Sequence, residues 1–138
     1  MKTFLSLAFA LLLAACSTLN PQSSYPPIVF VHGNGDTAAL WMPTVWRFES
    51  NGWPRDRLFA LDAPNPLART VDAKPQEGRT GTAEHLQILA TEVERVRKLT
   101  GADKVILVGN SRGGNVIRNY IRNGGGAETV SAAVLGGG

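Results

Sequence analysis

Val105-Ile-Leu-Val-Gly-Asn-Ser-Arg-Gly-Gly114 is a short aliphatic run that ends in glycines around a single serine. Four apolar residues bounded by a turn read as a strand. Beyond the glycines, Val116, Ile117, Tyr120 and Ile121 fall at helical spacing, and Asn123-Gly124 closes that helix. Two readings of Ser111 compete. It caps the helix, as serines commonly do, or the turn exists to lift its hydroxyl clear of the backbone as a nucleophile. Gly109-Asn-Ser-Arg-Gly113 fits G-x-S-x-G, in which strand and helix approach so closely that side chains at either glycine would clash. The bare pattern is weak. Its position after a strand and at the start of a helix gives it weight.

Working upstream, Ile28-Val-Phe-Val31 is a wholly apolar strand of the kind buried on both faces of a parallel sheet, and Gly33 and Gly35 break it. A helix is expected from about Thr37 to Ser50, with Pro43 imposing an irregular start. Leu58 to Leu61 is a second strand. A proline-bearing loop follows from Asp62 to Gly81, long enough to suggest a functional role as a wall of a cleft. Its Arg69, Lys74 and Arg79 read as solvated surface charges, the alternative being contact with an anionic group. Thr82 is the expected N-cap of an amphipathic helix built on Leu86, Leu89, Ala90, Val93, Val96 and Leu99, with Gly101 as its stop. Val130 to Leu135 is the fourth strand.

Strands alternating with helices predict an α/β domain from residue 28 to 138 with a mostly parallel, doubly wound sheet. In such sheets ligands bind beyond the carboxyl ends of the strands. His32-Gly-Asn-Gly35, Asp62 and Ser111 all fall there. A serine hydroxyl needs a base and donors for the oxyanion it generates. The backbone N–H of Arg112 is one expected donor and that of Asn34 a second. His32 reads as a structural histidine shaping its loop, and His85 as a solvated helix residue.

Residues 1–15 read as an export signal: Lys2 is followed by an uncharged, mostly apolar run from Phe4 to Leu13, about half the ~20 residues a membrane-spanning helix needs. The segment from 16 to 27 is polar and proline-bearing, a linker. The single cysteine, Cys16, excludes an internal disulfide, so stability rests on an apolar core, for which 43% hydrophobic residues suffice. The net charge of +3 is spread among interspersed acids and bases, which argues against nucleic-acid binding. No metal or cofactor motif is present.

The longer stretches carry a resemblance. Pro27-I-V-F-V-H-G-N-Gly35, the segment Asn51-G-W-P-R-D-R-L-F-A-L-Asp62, Thr100-G-A-D-K-V-I-L-V-G-N-S-R-G-Gly114 and Val130-S-A-A-V-L-G-G-Gly138 together resemble the α/β-hydrolase superfamily, and within it the small bacterial triacylglycerol lipases and esterases. The resemblance implies Ser111 as nucleophile, the Asn34 and Arg112 amides as oxyanion hole, an ester or lipid substrate and no cofactor. Asn110, Arg112 and Asp36 depart from common family residues and bear on substrate preference. Leu13-Ala-Ala-Cys16 resembles a bacterial lipobox, implying a lipidated Cys16 and a tether to the cell envelope, with the outer membrane as the expected address. Family members place an acid and then a histidine after the serine, whereas His32 and His85 both precede it. The chain is therefore expected to be the N-terminal part of an α/β-hydrolase, inactive alone. A non-catalytic envelope binding protein on the same fold is the competing reading, and cleavage of an amide, thioester or carbon–carbon bond is another.

Overall fold

A computed structural model of the protein describes residues 24–137. The expected export signal and Cys16 lie outside the described residues.

Four strands make one parallel sheet: β1 (Ile28–Val31), β2 (Leu58–Leu61), β5 (Val105–Asn110) and β6 (Val130–Gly136), in the spatial order β2-β1-β5-β6. Four apolar residues in a row at β1 make sense once both of its faces are covered. Val29 and Val31 point into a cluster with Leu89, Val93, Leu107 and Ile117, which packs α2 (Thr82–Thr100) and α3 (Arg112–Asn123) on one face. Ile28 and Phe30 point the other way, onto Val45 of α1 (Met42–Ser50), with Trp41, Phe48 and Trp53 around them. Each of these β1 side chains is at most 1% exposed, and full burial of such a side chain stabilises the fold by roughly 2 kcal/mol. The sheet is doubly wound, as the alternation of elements predicted.

Local departures have identifiable causes. The helix expected over Thr37–Ser50 is divided into a 3-10 turn, Ala38–Trp41, and α1, because Pro43 near the start of α1 supplies no amide to a longer helix. Thr82 is the first residue of α2, and the N-cap is Gly81, whose N–H donates to Glu84 Oε2 at 3.0 Å. The Thr82 N–H instead donates to Asp72 Oδ1 at 2.6 Å. A short helix, α4 (Gly126–Thr129), precedes β6 and was not foreseen. The last residues of the expected linker rest on the domain: Tyr25 packs against Trp53, and Pro27 O accepts from the Ile106 N–H at 2.9 Å. β6 is mostly exposed, Val134 to 60%, and its outer edge carries no strand among the described residues.

Candidate active site

Ser111 joins β5 to α3 with φ 52° and ψ −122°, a backbone conformation that costs a non-glycine residue about 1–3 kcal/mol. The flanking glycines explain how it is held. A Cβ on Gly113 would lie 2.3 Å from Val31 O and 2.7 Å from His32 O. One on Gly109 would lie 2.5 Å from Ile117 Cδ1 and 2.9 Å from Gly113 C. The start of α3 is thus pressed against the end of β1, and the Ser111 N–H is anchored to Gly136 O of β6 at 2.8 Å. Ser111 makes no side-chain capping bond to α3, although it occupies the N-cap position. The cap reading fails on that observation. The loop after β1 lies directly beneath the serine, since a Cβ on Gly33 would be 3.2 Å from Ser111 Cβ.

Asn34 and Arg112 therefore belong to two elements that meet at Ser111. Asn34 Oδ1 accepts from the Ala68 N–H at 2.7 Å, which leaves the side chain facing the 62–81 loop. The amide of Arg112 opens α3, where backbone N–H groups lack partners within the helix. Its guanidinium reaches the same loop, Nη1 donating to Pro66 O at 2.8 Å and Nη2 to Thr80 O at 2.5 Å. Burial lowers its pKa from the ordinary value, with Asp72 acting in the opposite sense.

That loop is a built structure. Two-residue strands β3 (Leu67–Ala68) and β4 (Arg79–Thr80) pair within it. Arg69 and Arg79, expected to be solvated, are internal ties: Arg69 pairs with Glu84 and donates to Asp72 O, and Arg79 Nη1 donates to Ala68 O at 2.7 Å. Lys74 is exposed as expected. Asp62, at the end of β2, accepts from the Ala38 N–H at 3.1 Å and so fixes the 3-10 turn.

His32 behaves as its position suggested. It is 1% exposed, its Nδ1 lies 2.9 Å from Gly33 O, and its Nε2 accepts from the Ala63 N–H at 3.1 Å. Nδ1 therefore carries the proton, and both ring nitrogens are occupied in joining two loops. His32 is not poised as a base. His85 corrects the sequence reading. It is 4% exposed, one turn before Leu89 on the stripe that continues to Val93 and Val96. That i, i+4 spacing was the available signal, overlooked because histidine is polar. Burial, then the positive charge of Arg112 and the nearby His32, lowers its pKa from 6.5 to about 4. It lines a cavity of about 70 Å³ with Thr82, Arg112, Asn115 and Val116, and Ser111 is not among the lining residues. The unfolded chain thus binds a proton on His85 below about pH 6.5 that the folded chain refuses until about pH 4. Folding stability is full above that upper value and falls as pH drops toward the lower one. Allowing for partial screening, the loss is about 1–2 kcal/mol. Urea unfolding at pH 7 and pH 5 should show this loss in the parent and a smaller one in His85→Gln; equal losses would refute it.

Among the described residues no group of three or more His, Cys, Asp and Glu side chains stands together as a metal site. An open groove of about 430 Å³ between β2 and α2 is lined by Leu61, Asp62, Pro64 and Ile88 among others, again without Ser111.

The strained, glycine-braced Ser111 stands at the carboxyl end of a parallel sheet, between strand and helix, and residues 25–136 match the family described as Lipase (class 2). The chain belongs to this family. Its fold is that of the α/β-hydrolases, represented in part. The mature form of the Bacillus licheniformis lipase BlEst2 is similar with a TM-score of 0.58 at 23% identity, over 82% of this chain and 40% of that one. An extracellular α/β-hydrolase from a Paenibacillus species gives 0.55 at 16%, over 80% and 40%. Epoxide hydrolases from hot-environment metagenomes give 0.53 at 22%, over 85% and 35%. The chain thus spans less than half the length of these structures, and a shared fold does not by itself choose the bond cleaved.

Proposed function

We propose that the protein carrying this chain is a serine ester hydrolase. The observation that carries the reading is Ser111 held at φ 52° without a capping bond, above the loop that bears Asn34. Ser111 Oγ attacks the acyl carbonyl carbon while its proton passes to a histidine base. That base and its orienting carboxylate are assigned to positions outside the described residues, because both ring nitrogens of His32 are engaged and His85 lines a cavity that does not include Ser111. The carbonyl oxygen becomes an oxyanion facing the N–H groups of Arg112 and Asn34. Collapse expels the alcohol, which takes the proton. Water, deprotonated by the same base, then releases the acid and restores Ser111. Membership of the lipase family favours an ester over the amide, thioester or carbon–carbon alternatives. The test is labelling of the full-length protein with a fluorophosphonate and mapping of the adduct by peptide mass spectrometry. An adduct on Ser111 is expected; a full-length protein that takes up no label there would refute the reading.

The lipobox-like Leu13-Ala-Ala-Cys16 supports an exported enzyme tethered through lipid on Cys16. Cys16→Ser should accumulate as an unprocessed precursor, and palmitate labelling should vanish. Processing and membrane attachment unchanged from the parent would contradict the tether.

A further inference from the structure

Arg112 has a side chain with an unusual commitment. Both terminal amino groups donate to main-chain carbonyls, Pro66 O and Thr80 O, and among the described residues no carboxylate lies within ion-pair distance of it. Each of those carbonyls already accepts a backbone bond. Pro66 O accepts from the Gly35 N–H at 3.2 Å, and Thr80 O from the Arg69 N–H at 3.3 Å. Loss of the guanidinium would therefore leave neither carbonyl without a partner, so the added cost of an orphaned acceptor does not arise.

The Pro66 carbonyl joins two parts of the site. On one side it receives Gly35, in the loop that carries Asn34; on the other it receives Arg112, the residue after the nucleophile. Two residues on, the Ala68 N–H donates to Asn34 Oδ1 at 2.7 Å. The 33–36 loop thus hangs on residues 66–68 by two hydrogen bonds, and residues 66–68, held within their own loop by the β3–β4 pairing and by Arg79, are joined to the start of α3 by the Arg112 guanidinium. Gly35 has φ 75°, and Asn34 and Gly35 are both solvent-exposed, so little side-chain packing restrains this tip.

We propose that Arg112 is a positioning residue: its side chain, through Pro66 to Ala68, sets the place of the Asn34 amide relative to its own. This rests on the oxyanion role given to those two amides above. The Arg112 residue thereby supplies one donor from its backbone and braces the other with its side chain. Such a brace matters because donors must meet the oxyanion to within a few tenths of an ångström, and a misplacement of about 1 Å can cost on the order of 10²-fold in rate. The bidentate span also makes lysine a poor substitute, since one ammonium on a flexible stem cannot hold both carbonyls in the same geometry.

Two measurements on the full-length protein test the proposal. The first is hydrogen exchange, independent of any activity. Peptides covering 33–36 and 66–69 should exchange about tenfold faster in Arg112→Met than in the parent, while Arg118→Met, on the exposed side of α3, changes neither. Unchanged exchange there overturns the brace whether or not the protein hydrolyses esters. The second is hydrolysis of p-nitrophenyl butyrate. Arg112→Met should lower kcat about 10- to 100-fold with KM within threefold and the melting temperature little changed, and Arg112→Lys should fall between. Asn34→Ala removes the other end of the brace, so the double variant should lose less than the product of the two single losses. Faster exchange with an unaltered kcat overturns the positioning role. Losses that multiply, or that track the melting temperature, overturn it too. Hydrolysis that persists in Ser111→Ala would sink the serine reading and leave the exchange experiment to judge the brace.

Discussion

Ser111→Ala in the full-length protein is expected to lower kcat for ester hydrolysis by at least about 10⁴-fold, while the protein folds and melts as the parent does or slightly higher. The large effect follows from the proposed mechanism, in which Ser111 Oγ is the atom that forms the acyl-enzyme. The amides proposed as oxyanion donors remain in this variant, and a small residual rate over water is expected from them. The stability expectation comes from the backbone. At φ 52° and ψ −122° serine and alanine are strained alike, and Ser111 gives no capping bond to lose. Circular dichroism and initial rates on p-nitrophenyl esters check both halves. A drop of less than tenfold would show that Ser111 is not the nucleophile. Simultaneous loss of fold would show that its hydroxyl is structural after all.

Gly113→Ala and Gly114→Ala should have opposite consequences although the two residues are adjacent in α3. A methyl group on Gly113 would lie 2.3 Å from Val31 O and 2.9 Å from Val31 C, backbone atoms of a central strand that cannot move without disturbing its bonds to β2 and β5. The expected destabilisation is about 3 kcal/mol or more, a large share of the 5–15 kcal/mol typical of a domain. A methyl group on Gly114 would meet nothing nearer than Leu135 Cβ at 3.8 Å, an ordinary contact. There alanine should be neutral or stabilise by up to about 1 kcal/mol, because it loses less backbone freedom in a helix. Chemical unfolding of the two variants measures this. Equal destabilisation by both would mean that α3 does not sit against β1 as described.

What could be read from the sequence was whatever local spacing encodes. Four consecutive apolar residues at Ile28–Val31 implied a strand covered on both faces, and it is covered on both faces. The spacing of Leu89, Val93 and Val96 placed one side of α2 in the core. Gly109-x-Ser111-x-Gly113 marked the turn at which a serine is held in strain, because the requirement for missing side chains is written at fixed offsets. Leu99 shows the limit of this logic: it is 67% exposed, because three residues beyond the buried Val96 it turns to the edge of the stripe, while the half-buried Thr100, four residues on, continues it. His85 shows the converse, a polar residue on the stripe that neighbouring elements bury.

Only the tertiary structure decided which partner each polar group takes. Arg112 meets Pro66 and Thr80, 46 and 32 residues away in sequence, and His32 meets Ala63, 31 away. Such pairings leave no periodic trace, because a carbonyl acceptor belongs to every residue and the chain between the partners has no characteristic length. The same holds for the glycines. Gly113 and Gly114 are alike in sequence, and only the approach of β1 to one of them makes it irreplaceable. Local spacing determined the elements and the strained serine; long-range hydrogen bonds and contact distances decided what holds the amides around it.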